Sequence, residues 1–183
     1  MPRMRELEVA KLSPEQRKVY DAIVAGPRGK VEGPLKVWLQ SPTLADRAQE
    51  LGAFCRFNTS LQPRLSELAV LLTGAYWKAG FEWAVHAPTA LKAGLDPEAV
   101  EAIRVGRKPV LPRTDEAAVY AFTTKLLRNR RVPISTYRLA VGELGQRGVV
   151  DLVGILGYYT LVSMTIVAFQ LPLPPGTPDP FAG

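Results

Sequence analysis

His86 is the only histidine in 183 residues, and it stands four residues after Glu82. On a helix that spacing projects both side chains from one face. Glu67 lies 19 residues before His86, in the preceding apolar run. Histidine is the side chain that titrates nearest neutral pH. Two carboxylates within reach of one imidazole therefore point to general acid/base chemistry. Plainer readings stand beside this one. A lone histidine is often a hydrogen-bonded core residue. Glu82 and His86 can be a solvated i,i+4 pair worth roughly a few tenths of a kcal/mol. Glu67, in a first helical turn, also complements the helix dipole.

Further candidates surround these three. Tyr76 and Trp83 are placed to line a pocket, although aromatics at such spacings are commonly core. Tyr158 or its neighbour Tyr159, in a later apolar segment, can point a hydroxyl into the site or pack in an interface. Arg56 can hold a substrate carboxylate through its planar fork, against the default of an exposed surface arginine.

The elements that must position these residues read as helix after helix. Ser13-Pro14-Glu15-Gln16 has the pattern of a capping box with proline at the first helical position, opening a helix to about Gly26. A Gly/Pro loop follows to Pro34, then a short helix over 35–39 and another from Ser41-Pro42. Pro63 begins a strongly apolar helix, the chain turns around Lys78-Ala79-Gly80, and residues 81–92 make the next helix. Asp96-Pro97 caps a short one ending near Gly106, and Thr114 starts a long amphipathic one to about Arg130. Separate helices are expected over 134–144, capped at Ser135 or a neighbour, and 148–170. A proline-rich tail over 171–183 reads as extended, lying on a neighbouring subunit. No segment alternates apolar and polar residues between turn signals, so the fold class expected is all-α, with one domain over 1–183.

Apolar content is 47% and charged content 22%, ordinary values for a globular domain. The net charge of +6 invites a nucleic-acid reading. However, the densest basic cluster, Arg128, Arg130 and Arg131, sits where cations favour a helix C-terminus. No nucleic-acid-binding motif accompanies it, and an anionic small molecule suits the charge equally. Residues 149–169 carry only Asp151 as a charge, close to the length of a membrane span. Their glycines, tyrosines and hydroxyls fit a buried core or interface helix better, so neither a nucleic-acid partner nor a membrane is expected. The single cysteine, Cys55, excludes an intramolecular disulfide and a cysteine metal cluster within one chain. It reads as a small buried residue. With no apolar leader near the N-terminus, a cytoplasmic location is expected. Dinucleotide, NTP and α/β-hydrolase motifs are absent.

Residues 64–106 resemble the core of the carboxymuconolactone decarboxylase and alkylhydroperoxidase D superfamily. The resemblance rests on Pro-Arg-Leu-Ser-Glu67-Leu-Ala-Val-Leu, on Glu82-Trp83-Ala-Val-His86-Ala-Pro88, and on Ala-Gly94-Leu-Asp-Pro-Glu-Ala-Val-Glu-Ala-Ile. The Gly157-Tyr158-Tyr159-Thr160 segment with its proline-rich tail is similar to one branch. The peroxidase branch places a Cys-x-x-Cys pair between its glutamate and histidine. Here Ala79 and Glu82 stand at those positions, so a dithiol cycle cannot run there. The decarboxylase branch lacks the pair. That resemblance implies an antiparallel helix pair at the core and a homo-oligomer, trimer or hexamer. It further implies a small acidic substrate, no metal or organic cofactor, and decarboxylation or isomerisation by His86 with Glu82 and Glu67. Two alternatives remain: peroxide reduction, and a non-catalytic binding protein that kept the pocket.

Overall fold

A computed structural model describes residues 3–182. A single 3-10 turn, Val9–Lys11, precedes the helices α1 (Pro14–Ala25), α2 (Pro34–Trp38), α3 (Pro42–Phe57) and α4 (Pro63–Trp77). They are followed by α5 (Gly80–Lys92), α6 (Pro97–Arg104), α7 (Thr114–Asn129) and α8 (Ile134–Phe169). No strand occurs among the described residues, so the fold is all-α.

Local chemistry sets most boundaries. Ser13 Oγ accepts from the Gln16 backbone N–H, and Gln16 Oε1 accepts from the Ser13 N–H, closing the capping box. Five of the helices begin with proline at an N-terminal position, where its missing N–H costs no helical hydrogen bond. Asp96 caps α6 through its side chain to the Glu98 N–H. The cap of α8 is Pro133, with no side-chain hydrogen bond, rather than Ser135.

α4 is the centre of the fold. Every residue from Arg64 to Gly74 is buried, because α5, α7 and α8 pack around it and α6 adds a further contact. A helix apolar on all sides requires that surrounding, and truncating Leu68 or Leu71 to alanine is expected to cost about 2–5 kcal/mol. The chain reverses at Lys78, which adopts left-handed backbone (φ 50°) as the C-cap of α4, and Ala79 then caps α5. The sequence pattern separates residues 134–144 from 148–170. The structure agrees: α8 is two helical segments that meet at a kink at Gly145 (φ 71°, ψ 168°), a conformation open to glycine alone. The apolar part of α8 is long enough to span a bilayer, yet half of that window is buried, packed on α3, α4 and α7.

The tail is a correction to expectation. Instead of reaching away it folds back on its own chain. Phe181 packs edge-on against Trp83 at 5.5 Å, and Arg104 Nη1 donates to the Pro180 carbonyl at 2.5 Å. It is not extended throughout: turns at 175–176 and 180–181, with Thr177 N–H donating to the Pro174 carbonyl, fold it back toward α5 and α6.

Candidate active site

The α4–α5 turn is too short for anything but an antiparallel hairpin. Its register follows from two contacts: Gly74 faces the Glu82 side chain near the turn, and Glu67 faces His86 further from it. Glu82 and His86 share one face of α5, as the i,i+4 spacing requires. Glu82 also lies in the first turn of α5, where the helix dipole favours a carboxylate.

His86 is bonded on both sides. Its Nδ1 lies 2.7 Å from Glu67 Oε2 and its Nε2 lies 2.8 Å from Glu82 Oε1. All three side chains are buried, His86 at 2% exposure. Burial by itself would push the imidazole toward neutrality. The Glu82 carboxylate beside it, and then Glu67, overcome that and hold its pKa up to about 9. At neutral pH the ring is therefore an imidazolium that donates through both nitrogens. Tyr159 meets the ring edge-on at 5.2 Å. Burial first, and then the two carboxylates, raise the Tyr159 phenol well above its ordinary value. It therefore stays neutral.

One side of this cluster opens to a cavity of about 80 Å³. Glu82, His86, Tyr158 and Tyr159 line it, with Arg28 and Arg56 on its walls, whereas Glu67 lies behind the imidazole. Tyr158 Oη accepts from Arg28 Nη2 at 3.2 Å. Burial pushes the Tyr158 phenol up to about 12 despite the opposing Arg28 charge. The Glu67 and Glu82 carboxylates approach opposite edges of one ring and so do not converge on a common point. No group of three or more His, Cys, Asp or Glu side chains among the described residues is arranged to hold a metal ion.

The structure thus brings Glu67, Glu82, His86, Arg56 and Tyr158 together and excludes two expected residues. Tyr76 is 47% exposed and lines a separate 430 Å³ cavity beside α6, α7 and the tail, which has no histidine or carboxylate in its walls. Nine residues after Glu67, at 100° per residue, it falls on the opposite side of α4. Trp83 follows Glu82 directly and is turned about 100° from it. It is buried against Phe181 and does not line the His86 cavity. Cys55 is buried and absent from the cavity walls. Burial and the nearby Asp151 push its thiol up to about 11. Arg28 was missed, and the sequence did not choose between Tyr158 and Tyr159, which both line the cavity. Tyr159 adjoins Tyr158 in a uniformly apolar run, where no periodicity separates one tyrosine from the other. Arg28 sits in a Gly/Pro loop, where no pattern marks orientation, although loops commonly carry binding groups.

No protein-family model and no curated protein matches the chain. Solved structures do. An alkylhydroperoxidase AhpD core protein, an uncharacterized peroxidase-related protein from Ralstonia eutropha, superposes with TM-score 0.77 at 14% identity, covering 98% of this chain and 94% of that one. An uncharacterized peroxidase-related protein from Silicibacter sp. gives 0.72 at 15% identity, covering 93% and 91%. A protein of unknown function from Agrobacterium tumefaciens gives 0.67 at 14% identity, covering 78% and 99%. Identity this low carries architecture and not activity. Taken with the helix order and the α4–α5 hairpin, the superpositions establish that the chain has the alkylhydroperoxidase AhpD core fold.

Proposed function

We propose that the protein is a cofactor-independent acid/base enzyme acting on a small organic acid by decarboxylation or isomerisation. The observation that carries this reading is the Glu67–His86–Glu82 array, in which both ring nitrogens are engaged and only the Glu82 side meets a cavity. In the decarboxylation, the bond between the substrate carbon and its carboxylate breaks. Carbon dioxide leaves, and the electron pair stays on the substrate as an enolate. The buried imidazolium stabilises that negative charge. A proton passes from His86 Nε2 through Glu82 to the carbon, and Glu67 holds the remaining N–H and the orientation of the ring. Solvent then restores the proton. In the isomerisation, Glu82 takes a proton from one carbon and returns it to another.

A second reading, peroxide reduction, draws support from two structural neighbours described as peroxidase-related. It requires a thiolate. The one thiol, Cys55, is buried with its pKa held up to about 11, which makes it a poor nucleophile. The third, a binding protein without chemistry, is an outcome of the same assay. Wild type and His86→Ala are compared on lactone acids, and wild type and Cys55→Ser on organic peroxides with a thiol reductant. A decarboxylated or isomerised product that His86→Ala fails to form supports the acid/base enzyme. Peroxide turnover lost in Cys55→Ser replaces it with the oxidoreductase, and no turnover with either panel leaves the binding protein.

The same reading includes a homo-oligomer, trimer or hexamer. α8 turns Val150, Val153, Met164 and Val167 outward, an apolar stripe that a second copy of the chain would cover. Light scattering on the purified protein, with Val153→Glu as the disrupting variant, tests it. A monomeric wild type removes this part of the proposal.

A further inference from the structure

Arg28, in the loop between α1 and α2, makes no ion pair among the described residues, although it lines the His86 cavity. Its Nη2 donates to Tyr158 Oη, and its Nε is buried without any hydrogen-bond partner. The seat it occupies is built. Gly52 is buried inside α3, where glycine is disfavoured. A Cβ at that position would stand 2.4 Å from Arg28 Nη2 and 2.1 Å from Tyr158 Oη. The bare Cα is what admits the pair. Tyr158 is in turn wedged edge-on between Trp38 at 6.1 Å and Tyr159 at 5.2 Å.

The other charges facing this cavity are accounted for, with one exception. Lys30 pairs with Glu32 at 2.8 Å, and Glu82 is held by His86. Arg56 makes no ion pair among the described residues and lies over the Phe57 ring at 5.4 Å. Two guanidinium groups without an ion pair among the described residues, Arg28 half-buried and Arg56 at the exposed rim, therefore border a cavity whose 80 Å³ fits a group the size of a carboxylate. The cavity does not end there. Arg56, Phe81 and Val85 also wall a groove of about 640 Å³, which continues along Val37, Leu171 and Pro172. The groove's own charged pair, Lys36 and Glu6, is matched at 3.0 Å.

We propose that cavity and groove together bind a carboxylic acid with an apolar extension. Arg28, supported by Arg56, holds the carboxylate beside Glu82 and His86, and the extension lies in the groove against the start of the C-terminal segment. The inference rests on the acid/base reading for what happens to the ligand, and names its chemical class.

Binding is read without turnover, by calorimetric titration of the full-length protein with octanoate, octanol and acetate. Octanoate should bind at least about tenfold more tightly than octanol, which lacks the charge, and than acetate, which lacks the extension. Arg28→Ala should weaken octanoate about tenfold or more and leave octanol unchanged. If Arg28→Ala does not fold, Arg28→Lys decides. It keeps the charge but not the planar fork, and must weaken octanoate with octanol unchanged. Equal affinities for octanoate and octanol, wild-type octanoate affinity in the Arg28 variant, or no saturable octanoate binding overturns the proposal. Turnover with no preference for octanoate would sink this inference alone. Selective octanoate binding in a protein that turns nothing over would sink the acid/base reading alone.

Discussion

α4 carries two clusters of the same composition, each a cation between two carboxylates, the first buried except for a half-buried Asp115 and the second buried throughout. In one, Arg64 bonds Asp115 and lies 3.3 Å from Glu116, tying α4 to α7. In the other, His86 lies between Glu67 and Glu82, tying α4 to α5. The difference is in the cation and the surroundings. A guanidinium does not give up its proton in a protein, and Arg64, Asp115 and Glu116 line none of the cavities described above. An imidazolium does give up its proton, and Glu82 and His86 face open space. Buried charge alone is therefore weak evidence for chemistry. A titratable cation at a cavity wall is stronger evidence.

The largest expected effect is on turnover. His86→Ala should lower kcat about 10²–10⁴-fold on whatever substrate the wild type accepts, whereas Arg64→Ala, compared by its folded fraction, should retain kcat. Equal losses in the two variants would erase the distinction. Stability reverses the order of evidence. Arg64→Ala leaves two carboxylates with no cation and should cost on the order of 3–5 kcal/mol, or roughly 10 °C in melting temperature for a chain this size. A calorimetric melt within about 2 °C of wild type would show that this cluster holds nothing together.

The clusters should also fail at opposite ends of the pH scale. His86 is held at about 9, above its ordinary 6.5. Its contribution is full below pH 6.5 and is lost as pH rises through about 9. It is on the order of 3 kcal/mol. For Asp115, burial is overcome by the Arg64 guanidinium and the carboxyl lies below its ordinary 3.8. Its contribution is present above that value and is lost as pH falls below it. Denaturant unfolding between neutral pH and pH 10 should show the alkaline decline in wild type and lose it in His86→Ala. A flat alkaline profile in wild type contradicts the assignment. The smallest effect is expected of Glu67→Gln, which weakens the one of the two partners that lies behind the ring. His86 should then titrate about one pH unit lower by NMR, and an unmoved titration would mean that Glu67 only packs.

Much of this was legible beforehand where neighbours in sequence are neighbours in space. The capping box at Ser13, the proline-led helices and the Glu82–His86 pair are all settled within one or two helical turns. Glu67 could be named as a second carboxylate, but only the family resemblance favoured it over a helix-dipole role, since its partner lies on another helix. Gly145 is equally local: the sequence pattern separates the segments on either side of it, and the backbone kinks there.

The sequence by itself determined an all-helical chain, the face that Glu82 and His86 share, and the absence of a thiol pair between Glu67 and His86. Helical period and residue chemistry are sufficient for those. Tertiary structure alone decided that Glu67 closes on Nδ1, that Tyr76 and Trp83 turn away, and that the tail returns to its own chain. It also decided that Arg28 and Tyr158 meet over the bare Cα of Gly52. Each of these depends on contacts between elements distant in sequence, where direction is set by packing and not by the local period.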